Sequence, residues 1–499
     1  MTLFLTLACA PHLPVGEIPV ARAARPVTLV ELPEPQAGNV YLAALIRAGS
    51  ALDRPGEEGL AALTARSTVE AGAGQQSADQ VRDALYPTGN ELEVVVDREW
   101  VSLRLRCRAQ DAALCVSVFT DALVAPRFDS GDVERIRDEL AYEVGAGMLA
   151  DEERLAHEVL DAVLYEGRPY GHPVEGRTGT LPILTSENCE RFHRENWVRE
   201  VTVVGIAGGY APVDRDRLVA RLEVLPGDIA PDLLLPAPVV RPGRTLVAVD
   251  TETAVTGFAL GHPLALSRND PDWPALHLAM TAFGAHRQSF GRLFRTLRTA
   301  RGLNYGDYAY VEPYVQRGWE SMPENGVLRS QNRFELWVRP TGVENGAFAL
   351  KLALDEMESL VREGLTQTEV DDIRSYLRGA IPLLAQDPGR RLLFAMDAVA
   401  TGTPDLLTAL VPALEGLDEA AVNAAIARRL TPENLVVVGV SGDAAALMQN
   451  LVEGIESPIV YLDVTPDAAQ AERDASVARK DVGLDPEDAW VVGAAGVFR

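Results

Sequence analysis

Metal-binding and proton-transfer chemistry needs histidine, cysteine and carboxylate side chains brought to one point, so their spacing is informative. The seven histidines are His12, His157, His172, His193, His262, His277 and His286. No two stand three or four apart, the spacing that lets two imidazoles on one helix face share an ion. His277 and His286, nine apart, fall on opposite helix faces. Cys189 and His193 are four apart on a segment expected to be helical, and Glu153, His157 and Asp161 form a similar stripe. Either set could reach one ion, but each reads first as packing or surface polarity. Serine-hydrolase, phosphate-loop and dinucleotide signatures are absent; GVSGD, at Gly439, ends a strand without the glycine series of a phosphate cradle. Arg287, Arg292, Arg295, Arg298 and Arg301 concentrate positive charge in one stretch. Such a cluster can receive an acidic peptide or partner surface, or it can be a solvated helix face with local ion pairs.

The elements that must carry these residues occur twice. VFTDALVAPRFDSGDVERIRDEL places Leu123, Phe128, Asp129, Asp132, Val133, Ile136, Arg137 and Leu140 in order. LDEMESLVREGLTQTEVDDIRSYL repeats the order with Leu360, Leu365, Thr366, Glu369, Val370, Ile373, Arg374 and Leu377, at an offset of 237 (365 minus 128). Both copies set an apolar residue before a capping Asp or Thr, an acid three residues on, and then apolar residues at helical spacing. Downstream, an amphipathic helix leads into a hydrophobic strand in each copy, Val203 to Ile206 or Val437 to Val440. Leu92 to Val96 and Val101 to Arg106 predict a hairpin around Asp97-Arg98, with helices beginning near Asp111 and Ser130. Hairpins beside long helices indicate an α+β class, in two homologous halves. The expected divisions are a leader-like N-terminus (1–25), a first half (26–225), a linker (226–246) carrying Pro226, Pro231, Pro236, Pro238 and Pro242, a second half (247–456), and an acidic tail (457–499) packed outside.

Among 499 residues, 72 Asp and Glu against 46 Lys and Arg leave a net charge of −26, which repels nucleic-acid phosphate and anionic membrane surfaces. No nucleic-acid partner is expected. No run approaches the roughly 18 apolar residues of a membrane-spanning helix. The N-terminus MTLFLTLACAPHLP carries Leu7-Ala8-Cys9-Ala10, which looks like a bacterial lipidation box, but is too short for a full leader. The expectation is a bacterial cell-envelope, periplasmic chain, lipid-anchored at Cys9 if translation begins upstream, and cytoplasmic if the match is chance. Cys107, Cys115 and Cys189 would then allow at most one disulfide.

Arg47 to Gly72, RAGSALDRPGEEGLAALTARSTVEAG, resembles the inverted-zincin segment of the pitrilysin/insulinase family of zinc metallopeptidases, to which the mitochondrial processing peptidase belongs. In that family a strand ending in Gly-Ser runs through a Pro-Gly turn into a helix reading GLAHxxEHM. Aligning Gly59-Leu60-Ala61 puts Ala62 and Arg66 where the two zinc-binding His of HxxEH would stand, and Ala65 at the catalytic Glu. Alanine neither ligates a metal nor accepts a proton, and Arg66 adds a positive charge where a dication would sit. YEGRPYGHPVEG (Tyr165 to Gly176) and ALGHPLALSRNDPDWPALHLA (Ala259 to Ala279) extend the resemblance across both halves. It implies two α+β halves facing one another like a clamshell. The family's third ligand, a Glu, maps onto Glu139 or Glu143, with Glu143 the closer fit counted back from Gly176. Without His partners it reads as a solvated helix residue, or as the carboxylate that pairs with Arg66.

The family's substrate-side pair is an Arg late in a helix and a Tyr seven residues on, matched by Arg298 and Tyr305. In active relatives these bind the substrate backbone and the developing oxyanion; a dipole-compensating Arg and an ordinary strand Tyr would also produce the pattern. The resemblance implies a catalytically silent homologue, the non-zinc subunit of a two-chain metallopeptidase. It would contribute peptide contacts, bind no metal itself, and pair with an HxxEH-bearing homologous subunit that holds the zinc. A stand-alone envelope peptide-binding or scaffolding protein, monomeric or homodimeric, is the alternative. An active metallopeptidase with unrecognised ligands is the third.

Overall fold

A computed structural model describes residues 27–227, 233–285, 288–312, 322–462 and 464–499. Cys9 and Arg287 lie outside the described residues. The first half runs β1 (Thr28–Pro33), β2 (Asn39–Ile46), α1 (Leu60–Glu70), α2 (Ala78–Leu85), β3 (Leu92–Val96), β4 (Val101–Arg108), α3 (Ala112–Val124), α4 (Ser130–Tyr142), α5 (Glu152–Leu164), α6 (Ser186–Asn196), β5 (Thr202–Gly208) and α7 (Pro212–Leu222). The second runs β6 (Arg244–Asp250), β7 (Val255–Leu264), α8 (Trp273–Gly284), β8 (Tyr308–Tyr310), β9 (Asn332–Gly342), α9 (Gly346–Glu363), α10 (Gln367–Leu384), α11 (Pro388–Thr401), α12 (Leu406–Glu415), α13 (Glu419–Arg429), β10 (Val436–Ser441), α14 (Ala444–Val452), α15 (Ala468–Ala478) and β11 (Leu484–Gly493).

The duplication is visible in the sheets. The order β1-β5-β2-β4-β3 in one matches β6-β10-β7-β9-β8 in the other, with β11 added parallel to β6. Each repeat has one parallel pair, β1 with β5 or β6 with β10, and antiparallel neighbours on the far side of β5 or β10. The repeated helix start is real chemistry in both copies: Asp129 accepts from Gly131 N, and Thr366 and Glu369 form a reciprocal capping box. The hairpin around Asp97-Arg98 is β3 with β4. Strand β6 begins at Arg244, inside the stretch read as linker, because Arg244 to Val249 are all buried and Thr245 to Asp250 pair with β10.

Each sheet is covered on one face by helices of its own half and on the other by a helix from the opposite half. α5 packs on β7 and β10, and α11 packs on β5 and β2. Leu155, Val159 and Leu160 thus share a core with Val249, Val438 and Val440, while Leu392 and Met396 close over Ala43, Leu45, Val203 and Ala207. The two α+β halves face each other through this exchange. Residues after 457 hold α15 and the outer strand β11, and Phe498 O accepts from Thr178 N of the first half at 3.1 Å. Cys107 of β4 and Cys115 of α3 form a disulfide; Cys189 is buried and free.

Candidate functional site

Helix α1 is started by a device that leaves no room for other chemistry at its first turn. Gly59 adopts φ +101°, and Asp53 accepts from Gly59 N and Ala61 N, both at 2.8 Å, satisfying donors that a helix start leaves free. A side chain at Gly59 would meet Glu175 O at 2.7 Å, and Gly176, with φ +104°, packs back against Glu58 and Gly59. The Tyr165 to Gly176 loop is thereby locked to the start of α1.

One turn on, Ala62 and Ala65 are buried, and Arg66 projects from α1 toward α4. Its Nη1 donates to Glu143 at 2.9 Å, Nη2 to Glu139 at 2.7 Å and Nε to Glu70 at 3.1 Å. Arg135 adds a second cation, reaching Glu139 at 2.8 Å and Glu70 at 3.3 Å. Burial works against the Arg66 charge, but Glu70, Glu143 and Glu139 outweigh it and hold the guanidinium above its ordinary pKa. Glu143 opens a π-type turn, Glu143–Gly147, that continues α4. These residues do not fit zinc. Glu139 and Glu143, the carboxylates that could ligate, are each held by a guanidinium, and positions 62 and 65 offer no donor or base. Among the described residues no group of three His, Cys, Asp or Glu is arranged to hold a metal.

The histidines among the described residues are packed into the fold. His157 of α5 pairs with Glu335 of β9, and its flanking acids do the same: Glu153 meets Arg339 at 2.6 Å and Asp161 meets Arg333 at 2.5 Å. The Glu153, His157, Asp161 stripe is therefore a charge ladder between the halves. His193 bonds Leu123 O at 2.9 Å, between Phe128 and Trp197, whereas Cys189 turns to Thr64 and Ser67. Burial brings His193 down to about 4 and raises Cys189 to about 12, so both are neutral packing groups.

Arg298 and Tyr305 do come together. Arg298 lies in a π-type turn, Phe294–Thr299, a helix distortion often found at functional sites. Its guanidinium stands 4.6 Å from the Phe294 ring and 5.7 Å from the Tyr305 ring, and Nη1 donates to Tyr305 O at 3.4 Å. Tyr305 is 75% exposed, and among the described residues Arg298 has no carboxylate partner. The arginine cluster around them is smaller than its spacing suggests. Arg292 is held by Glu369 at 2.8 Å and buried Arg301 by Asp474 at 2.5 Å, which leaves Arg295 and Arg298 to solvent. Sequence reasoning overlooked Glu70, although its place four residues after Arg66 is the spacing of a helical ion pair. It also overlooked Asn304 and Asp307 under Tyr305, which no spacing rule marks.

Residues 29–178 match the family described as Insulinase (Peptidase family M16), and residues 184–377 match Peptidase M16 inactive domain. The chain belongs to the insulinase peptidase family. Among insulinase-family relatives, an uncharacterized zinc protease of Mycobacterium tuberculosis is 26% identical over 325 residues, 64% of this chain and 69% of the relative. One from Streptomyces coelicolor is 26% identical over 327 residues, 64% and 66% of the two chains. The mitochondrial-processing peptidase subunit beta of Dictyostelium discoideum is 21% identical over 246 residues, 48% of this chain and 51% of the subunit. Of solved structures, a peptidase M16 inactive domain from Pseudomonas fluorescens superposes with TM-score 0.73 at 20% identity, covering 85% of this chain and 97% of that one. A Helicobacter pylori protease gives 0.71 at 14% identity, covering 84% and 99%. These likenesses establish the insulinase-family fold.

Proposed function

We propose that this insulinase-family homologue is catalytically silent and serves as the non-zinc subunit of a two-chain metallopeptidase. The observation that carries the reading is Arg66. It stands at the position of a zinc-binding His and takes up Glu139 and Glu143, the carboxylates nearest the position of the third ligand. Arg298 and Tyr305 remain accessible on the other half, and their role is to hold the backbone of a peptide and the oxyanion formed when its carbonyl is attacked. The partner, a homologous chain with HxxEH, supplies zinc and base. That one relative is itself a named peptidase subunit supports this division of labour. The buried Cys107–Cys115 disulfide supports an exported chain in an oxidising bacterial envelope, where Cys9 would carry the lipid.

The test is affinity purification from the native host with mass spectrometry of co-purifying chains and zinc quantification. An HxxEH-bearing relative at near-equal amount, with zinc on that relative, is the expected result. Arg298→Ala should then lower kcat/KM of the pair by about 10²-fold or more, the scale of losing one oxyanion contact. Recovery of a metal-free chain alone or as a homodimer would replace this reading with a peptide-binding or scaffolding role. Zinc on the isolated chain would overturn the silent-site reading.

A further inference from the structure

Beneath Tyr305 lies a buried polar brace that the zinc-site comparison does not touch. Asp307 is fully buried, and its Oδ1 accepts from Asn304 Nδ2 at 2.7 Å and from Arg339 N of β9 at 2.9 Å. Asn304 Nδ2 also donates to Arg339 O at 3.0 Å, while its Oδ1 accepts from Gly306 N at 3.0 Å. The four-residue turn Asn304 to Asp307, which carries exposed Tyr305, is thus tied to the second sheet through two side chains. Asp307 Oδ2 is buried with no hydrogen-bond partner among the described residues. A carboxylate held this way has one oxygen well satisfied and the other stripped of water, so its charged form is disfavoured.

We propose that Asp307, acting through Asn304, is the positioning residue that sets the Arg298–Tyr305 pair, and that its ionisation loosens the turn. The proposal rests on the reading of that pair as the peptide-contacting site. The charged groups facing Asp307 are Arg339 of β9 and Glu153 of α5, which pair with each other at 2.6 Å and act on it in opposite directions. Tyr308 of β8 adds a phenol beside Arg339. With those fields opposed, burial dominates and pushes the Asp307 carboxyl up to about 7. A proton at Asp307 removes the buried charge and leaves Oδ1 as acceptor; losing it places an anion where Oδ2 has no donor. Peptide contact is therefore set best below neutral pH. Glu153 comes from the first half, so the joint between the halves also reaches this turn.

The test is hydrogen exchange of the 298–310 segment in the full chain at pH 6 and pH 8, corrected for intrinsic rates. Wild type should exchange at least about threefold faster at pH 8, and Asp307→Asn, a neutral isostere, should stay protected at both. Glu153→Gln, which leaves Arg339 to favour the carboxylate, should move the midpoint to lower pH; it keeps the question open to refutation if Asp307→Asn does not fold. Equal exchange at both pH values in wild type, undiminished pH dependence in Asp307→Asn, or an unmoved midpoint in Glu153→Gln would each overturn the proposal. No partner, zinc or peptide enters this measurement, so its failure leaves the subunit reading standing. Failure to find a partner leaves the brace standing.

Discussion

Arg66 shows how a single residue can replace a metal's structural task without its chemistry. A dication at this place would draw carboxylates of α4 and the turn that continues it toward α1; the guanidinium does so with directed donors to Glu139 and Glu143, and a third donor reaches Glu70 of α1 itself. Its side chain is 20% exposed and its partners 31–41%, so each pair is worth less than a buried one and more than a fully solvated one. Arg66→Ala should destabilise the chain by roughly 1–2 kcal/mol, because Glu70 and Glu139 are left with Arg135 alone and Glu143 loses its guanidinium. Arg66→Lys should recover only part of that, since a point charge cannot direct three bonds. Urea unfolding of the two variants checks both statements, and identical midpoints for wild type and Arg66→Ala would remove the structural role assigned here.

Between elements, the joint of α5 with β9 carries the pH dependence. Residues 153, 157 and 161 repeat every helical turn, and 333, 335 and 339 share one face of a strand, so the two rows can meet in register. Burial disfavours the imidazolium of His157, but Glu335 outweighs it and the pKa is raised. Burial would likewise raise Glu335; Arg333 and His157 reverse that and bring it to about 2. A histidine with a raised folded pKa contributes stability that is complete below its unfolded value of about 6.5 and is lost as pH rises through the folded value. Urea stability of wild type should therefore fall from pH 6 to pH 9 by more than that of His157→Gln. Parallel pH profiles would mean that His157 is neutral in the fold.

For the whole molecule, the exchanged helices make each half incomplete without the other. A chain limited to 26–225 lacks Leu392 and Met396 and uncovers Ala43, Leu45, Val203 and Ala207, an apolar face that water does not tolerate. That fragment should aggregate or self-associate, whereas the full chain should unfold in one transition seen by calorimetry. Two separated transitions, or a monomeric soluble fragment, would show that the halves are independent domains. The tail strengthens the same tie, with β11 on the second sheet and Phe498 packed into the first core.

The repeat, the helix starts at Ser130 and Gln367 and the hairpin at Asp97-Arg98 were all legible in the sequence. Caps, turns and periodic apolar residues act over three or four residues, so their signals survive in a linear string. Only the tertiary structure decided that the Glu153–His157–Asp161 stripe meets Arg339, Glu335 and Arg333, that Arg292 and Arg301 are consumed by Glu369 and Asp474, and that Asp307 is buried beneath Tyr305. Those partners are 77 to 186 residues apart. Their meeting is set by which helix crosses which sheet, and the desolvation that shifts Asp307 does not exist until the chain has packed around it.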